Sequence, residues 1–449
     1  MDIILCGGGE IGCIAAEMLS SAGDSVTMID VNEERLEYLG NHLDIAVVPG
    51  SASSAVTLKA AGAANADAVI ATTSVDEVNL VICDIAATLG AHRTMARVDH
   101  SMLLGNEELD YASIFSVDRL FSPDRAMASL MASRLRHPGA VAIEQFAGSS
   151  IELQQFTVDP RSQGIGVPLH QLRLPASTRI AAVTRDGLSS LPSADTTLTG
   201  GDLVTIVAKQ DVMADARQLL AHPHYGRTNV AISGGTPAAV WLCQMLGGRD
   251  FDVRIFEPDR ARSERLSMLL DNATVICADA NLSDTFDDEH LDQVDAFVSM
   301  RADEKNMLAC AYARSRGVEL VMPVIRQREF LPLMKQLGLT LTWSPETAAV
   351  QAIKRFVHFN DFERMEGLFD GALDVIRLRV DPRSKLVDRT VSTLDLDVPM
   401  VILAAENCDG DPIVPGPDMN ISPGRSMIII TTPDHTETIR RQFGAGSRR

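Results

Sequence analysis

The 449-residue chain contains itself twice, and that duplication limits its fold more than any other feature. The stretch DIILCGGGEIGC (2–13) returns as NVAISGGTPAAV (229–240), so Gly7 aligns with Gly234, 227 residues further on. Asp30, which closes the apolar run VTMID, aligns at the same spacing with Glu257, which closes VRIFE. ADAVIATTSVDEVN (66–79) returns as VDAFVSMRADEKN (294–306) with one deletion. FSPDRA (121–126) returns as WSPETA (343–348), and VDPRS recurs unchanged at 158–162 and 380–384. Five markers in one order define a duplicated unit of about 225 residues.

Each unit has two parts. The first alternates short apolar runs (IILC, SVTMID, IAVV, AVIATT, TMARV, VDRLF) with helical patterns, which predicts a parallel sheet with right-handed crossovers. Ser122-Pro123-Asp124 and Ser344-Pro345-Glu346 then read as helix starts: serine as N-cap, proline at the first helical position, an acid in the first turn. Their apolar faces suit pairing between lobes, or packing within one chain. About eighty residues of short β-like runs with Pro, Gly and Asp turns follow. The expected fold is α/β: two tandem units, each a Rossmann-like doubly wound sheet followed by a small α+β domain. The expected boundaries are 1–121 and 228–343 for the lobes, 122–138 and 344–370 for the crossover helices and connector, and 139–222 and 371–449 for the small domains. His222-Pro223-His224-Tyr225-Gly226 reads as the linker between units.

A net charge of −20 argues against a nucleic-acid partner, because phosphate backbones reward clustered Lys and Arg. No apolar run approaches the roughly 18–20 residues of a membrane span, and the start carries no basic leader, so a soluble, cytoplasmic protein is expected. The seven cysteines (Cys6, Cys13, Cys83, Cys243, Cys277, Cys310, Cys408) never form C-x-x-C and read mostly as small core residues.

Gly7-x-Gly9-x-x-Gly12 follows one predicted strand and opens a predicted helix. In such a loop the glycines serve a tight turn, close approach of backbone to a pyrophosphate, and close helix–strand packing. The amides and dipole at the helix start hold phosphates without a lysine. Asp30, at the end of the second strand, is placed to accept from ribose hydroxyls and to repel a 2′-phosphate, favouring NAD(H) over NADP(H), with Asn32 as an added donor. The alternative is that the glycines permit close packing in a lobe that binds nothing. Asp76-Glu77-x-Asn79, repeated as Asp303-Glu304-x-Asn306, either suits a helix dipole or lines the pocket. Gly50-Ser51-Ala52-Ser53 would border an adenine. Arg97 is a phosphate contact or a surface ion pair.

The second copy has drifted. Gly234 is kept, but Gly9 has become Thr236 and Gly12 has become Ala239, while Pro237 removes an amide donor. Glu257 and Asp259 keep the ribose acids, Asp279 appears after the third strand, and Arg301 is new. A weaker site, or one with a different ligand, is expected there. The small domains offer Asp159-Pro160-Arg161 and Asp381-Pro382-Arg383, which look like turns, and a solitary His170. No catalytic constellation and no metal-ligand spacing accompanies the loop. That favours a nucleotide that is sensed over one that is turned over by an NAD-dependent oxidoreductase, the enzymatic alternative.

Glycine-loop lobe, SP helix, small β domain with a VDPRS turn, then all again: this order resembles the TrkA family, nucleotide-binding regulators of bacterial and archaeal Trk potassium uptake built from RCK domains. The resemblance spans essentially the whole chain. It implies a non-enzymatic regulatory subunit, a homotetramer whose eight RCK units form a ring beneath a TrkH-type membrane channel, peripheral on the inner face of the membrane. It implies NAD(H) at the first site and ATP, ADP or nothing at the second. The family's nucleotide residues carry over to Gly7, Gly9, Gly12, Asp30, Asn32, Ser51, Asp76, Glu77 and Arg97. With their neighbours Gly8, Glu10, Ile11, Ala52, Thr72 and Thr73, and with Gly234, Glu257 and Asp279, these form the candidate set. Glu10 stands where some ATP-responsive relatives have an Arg, which favours a dinucleotide over a triphosphate.

Overall fold

The computed structural model describes residues 1–104, 109–136, 142–145, 151–220, 227–247, 250–339, 341–357, 362–365, 372–394, 398–406 and 412–444. The linker at 222–226 and Cys408 lie outside them. In the first lobe every predicted run is a strand: β1 (Asp2–Cys6), β2 (Ser25–Asp30), β3 (Ala46–Pro49), β4 (Ala68–Ala71), β5 (Thr94–Arg97) and β6 (Arg119–Phe121). They pair in the order β3-β2-β1-β4-β5-β6, parallel throughout. The order reverses between β1 and β4, so the crevice at their carboxyl ends is where such a sheet takes a ligand. Helix α1 (Glu10–Ser21) leaves β1 through the glycine loop, and α2 (Glu33–His42) follows β2.

The second lobe repeats the plan with strands Thr274–Ile276, Phe251–Phe256, Thr228–Ser233, Ala296–Ser299 and Leu320–Pro323 in spatial order. The sixth strand is reduced to one parallel bridge between Val324 and Trp343.

Both SP helices form where the sequence places them, at Pro123–Arg136 and Pro345–Val357. Ser122 Oγ accepts from the Arg125 amide (3.3 Å) and Ser344 Oγ from the Thr347 amide (3.1 Å), the capping that serine supplies before proline. Each helix buries its apolar face in the other lobe. Met127, Met131 and Leu135 of the first join Val230, Ile232 and Leu242 of the second lobe in one core cluster. Ala349, Val350, Ile353 and Val357 of the second helix join Ile3, Leu5, Leu19 and Met28 of the first lobe in another. Arg93 of the first lobe seals the end of the second helix, donating to the carbonyls of Phe356 (2.7 Å) and Val357 (3.0 Å). The pairing is therefore between lobes and within one chain.

Compactness accordingly groups like with like: residues 1–136 with 226–357 form one unit, and 137–225 with 358–449 form the other. In the second unit each small domain is an antiparallel sheet carrying a helix, at Gln210–Leu220 and Thr436–Phe443. Leu153, Ala182 and Val207 of one sheet and Val375, Leu403 and Ile430 of the other share a core. Arg179 crosses to the carbonyls of Ile402 (3.2 Å) and Pro415 (2.8 Å). Both VDPRS segments are turns in which the aspartate accepts the arginine amide two residues on, at 2.7 Å in each copy.

Because Ile353 is fully buried in a core built by the other repeat, Ile353→Ala should cost about 2–5 kcal/mol. Hydrogen exchange should show the loss in β1 and α1, more than three hundred residues away in sequence, and not only in its own helix.

Candidate functional site

The glycine loop turns at Gly7, whose φ of +107° disfavours any side chain, and whose Cβ would meet Thr73 N at 3.0 Å. A Cβ on Gly12 would fall on the Gly7 carbonyl oxygen, so that glycine lets α1 close on the strand end. Gly9 is different: nothing in the protein lies within 4 Å of where its Cβ would be. Packing explains Gly7 and Gly12 but not Gly9. Gly9 is also the N-cap of α1 and offers no side-chain cap, so the first amides of the helix face outward with the positive end of its dipole.

Asp30 sits beside them, its side chain 10% exposed. Its Oδ2 accepts from Gly8 N (2.5 Å) and its Oδ1 from Asn32 N (2.8 Å), while Arg35 stands 3.9 Å away. The carboxylate is thus held rigidly at the β2 end. Around it opens a cleft of about 630 Å³. Of the expected residues, Gly7, Gly9, Glu10, Ile11, Asp30, Ser51, Ala52, Thr72, Thr73 and Arg97 line it. Thr72 Oγ1 bonds back to the carbonyls of Gly7 (3.1 Å) and Cys6 (3.3 Å), pinning the loop. Ser51 Oγ pairs with Ser53 Oγ at 2.8 Å. Arg97 lines the cleft and forms the expected ion pair, with Asp99 at 2.7 Å.

Other expected residues take other places. Gly8 contributes its amide to Asp30, and Gly12 lies behind the loop. The side chain of Asn32 caps α2 through Arg35 N at 2.9 Å. Asp76 accepts the amides of Asp99 (2.9 and 3.0 Å) and His100 (2.9 Å), so it anchors the loop after β5 instead of lining the cleft. Glu77 is exposed on its helix, Asp76–Leu89. The repeated motif proves to be a clip. Asn79 donates to the carbonyls of Thr73 (3.0 Å) and Arg97 (2.9 Å), and Asn306 to those of Arg301 (3.0 Å) and Val324 (2.7 Å), tying the ends of the fourth and fifth strands. Asp303 repeats the role of Asp76 through the amides of Arg326 (2.9 Å) and Gln327 (2.7 Å).

The cleft also receives residues that its own lobe does not encode. Arg326, Pro345 and Glu346 reach it from the second repeat, alongside Asp124 of the first SP helix. Arg326 pairs with Glu346 at 2.9 Å and approaches Asp124 at 3.8 Å. No sequence signal marks these residues, because their convergence follows from the helix exchange. Partial burial, then the Glu346 charge, push Glu10 above the usual carboxylate range, with Arg326 opposing. Burial likewise raises Asp124, again against Arg326.

The second glycine loop has the same frame and a different filling. Gly234 turns with φ +105°, and Glu257 copies Asp30, accepting from Gly235 N and Asp259 N at 2.9 Å each, with Arg262 at 3.6 Å. Thr236, at the place of Gly9, caps its helix through Ala239 N at 3.3 Å. Asp279 is bound to Arg301.

A two-lobe glycine-loop assembly paired with small antiparallel sheets defines a tandem RCK architecture. The TrkA-N domain model matches residues 3–123 and 230–345, and the TrkA-C domain model residues 153–221 and 375–444. The chain belongs to the TrkA family, whose members are regulatory subunits and not enzymes. It is 29% identical to the Trk system potassium uptake protein TrkA of Vibrio alginolyticus, over 88% of each chain. It is 25% identical to the Trk system potassium uptake protein TrkA homolog 1 of Methanosarcina mazei, over 99% of this chain and all of that one. Among solved structures, the GsuK RCK domain superposes with a TM-score of 0.59 at 17% identity, over 99% of this chain and 95% of that one. The GsuK channel bound to NAD gives the same score and identity, over 99% and 79%.

Two glycine substitutions separate packing from display. Gly12→Ala should destabilise the chain by about 1–3 kcal/mol, since α1 must move off the strand. Gly9→Ala should stay within about 1 kcal/mol of wild type. Urea denaturation of both variants measures the contrast.

Proposed function

We propose that this chain is the nucleotide-reading regulatory subunit of a Trk-type potassium uptake system, and that the first-lobe cleft takes NAD(H). The observation that carries the reading is Gly9: a glycine with open space above it, at an uncapped helix start, beside a fixed carboxylate. A diphosphate approaching the Gly9–Ile11 backbone meets amides and a positive dipole, and the adjoining ribose meets Asp30. A 2′-phosphate at that place meets the same carboxylate, so NAD(H) is favoured over NADP(H). Ser51 and Ala52 border the adenine, and Thr73 and Arg97 stand toward the far end of the cleft.

Potassium enters through the relatives, which are named as Trk system potassium uptake proteins. Among the described residues no helix is long and apolar enough to cross a membrane, so the chain acts on transport through a TrkH-type membrane partner, as a homotetramer whose RCK units form a ring. The cleft supports a regulatory use because both lobes line it. A ligand shifts a conformational equilibrium only by its differential affinity for the two states, and a cleft walled by Glu10 on one side and Arg326 and Glu346 on the other changes its ligand contacts whenever the lobes move.

Calorimetric titration of the whole chain with NADH tests this. Asp30→Ala should weaken NADH by about ten- to hundredfold, the loss of hydrogen bonds to a charged acceptor worth roughly 1.5–3 kcal/mol, and should blunt the NADH response of potassium uptake. Binding that survives the substitution unchanged sinks the assignment. A pH series adds a second check. Glu10 is already raised, and an anionic diphosphate beside it raises it further, so binding takes up protons. NADH affinity should therefore fall as pH rises through the range just above an ordinary carboxylate, and Glu10→Gln should flatten that slope.

A further inference from the structure

The two glycine loops also differ at two places that line the first cleft. Thr73 and Arg301 are equivalent positions, because each donates its amide to the clip asparagine, Asn79 at 2.9 Å and Asn306 at 2.6 Å. Ser51 and Asp279 are equivalent, because the carbonyl of each accepts, at 3.1 Å, the amide of the residue that precedes the next helix, Ser54 and Leu282. In the first lobe Thr73 and Ser51 are small cleft-lining residues. In the second their counterparts are an arginine and an aspartate that bond to each other, with side chains 20% and 21% exposed. The replacements are complementary in charge and reach, whereas independent drift would leave one of them unpaired.

The arginine lies on the glycine turn itself. Its Cγ is 2.8 Å from where a Cβ on Gly234 would stand. The donors a diphosphate would use are also engaged or missing: Thr236 Oγ1 takes the Ala239 amide, and Pro237 has no N–H. An incoming anion would have to displace Arg301 from Asp279 and then share the space with a carboxylate that has lost its guanidinium partner.

We infer that the second lobe carries its own ligand: the Arg301–Asp279 pair occupies the place of a nucleotide diphosphate, and the second glycine loop is closed to dinucleotides. The chain then takes one dinucleotide, in the first lobe, and the second lobe serves it as a partner of constant shape. Partial burial works to raise Asp279, but the bond to Arg301, the Asn281 amide and the charges of Arg301 and Lys305 together hold the carboxyl below the usual range, so the pair stays ionised at neutral pH.

The test uses inorganic pyrophosphate and the full chain. Of its two tryptophans, Trp241 lies on the helix that follows the second glycine loop and reports that lobe. Any signal from Trp343, beside the helix start that lines the first cleft, is common to wild type and variants and cancels in the comparison. Asp279→Ala frees Arg301 to meet an anion. It should create a pyrophosphate-dependent change in emission at least tenfold tighter than any in wild type, and Asp279→Ala with Arg301→Ala should abolish it. Should Asp279→Ala fail to fold, Asp279→Asn keeps a hydrogen-bond acceptor for Arg301, removes its charge, and should show the same gain in weaker form. A folded Asp279 variant with no gain overturns the inference. So does a second NADH-binding event in the Asp30→Ala chain that Glu257→Ala removes. Neither result depends on what the first cleft binds: failure of NADH to bind there would overturn the first-site reading and leave the pyrophosphate comparison intact.

Discussion

The exchange of SP helices between the two lobes is the interaction on which the rest depends. A Rossmann lobe ending at β6 leaves one sheet face short of cover, and the helix that follows in sequence does not cover it. The partner lobe's helix does, with Ile353 and Val357 over β1 and α1, and Met131 and Leu135 over the second sheet. Burial of that apolar surface is non-directional and proportional to area, so it fixes the lobes to each other without any polar code. Polar contacts then set the register, with Arg93 on the carbonyls that end the second helix.

From that exchange follows the composition of the cleft. Helix starts carry acids to suit the dipole, and bringing the two SP helix starts beside the first glycine loop brings Asp124 and Glu346 with them. Arg326 is drawn between them. The first cleft is consequently a mixed field of carboxylates and guanidinium groups belonging to both repeats.

Duplication also let one copy change while the other kept its form. The carboxylate frame is the same in both lobes, Asp30 and Glu257 each clamping the backbone of its loop and the residue two positions on. The asparagine clip is the same too. These are the parts that hold a strand-end loop in shape whether or not anything lies in it. The residues that changed, Gly9 to Thr236, Thr73 to Arg301 and Ser51 to Asp279, all line the cleft in the first lobe.

Sequence alone determined the repeat, the six strands of the first lobe and both SP helices, because each is encoded by local signals: short apolar runs, glycine at a turn, serine before proline. It also located the loop and Asp30, since a glycine motif and an acid at a strand end are separated by a spacing that the sheet dictates. It left Asp76 between a helix start and the pocket, where the structure puts it at the helix start with its carboxylate spent on backbone amides, and it passed over Asn79 and Asn306 in the same motif, because a side chain's hydrogen-bond partners are not local in sequence. Only the tertiary structure decided that each SP helix crosses to the other lobe, that Arg326 and Glu346 enter a cleft encoded over two hundred residues earlier, and that Arg301 meets Asp279. Those outcomes rest on which surfaces pack together, and packing is a property of the whole assembled core, not of any stretch of chain.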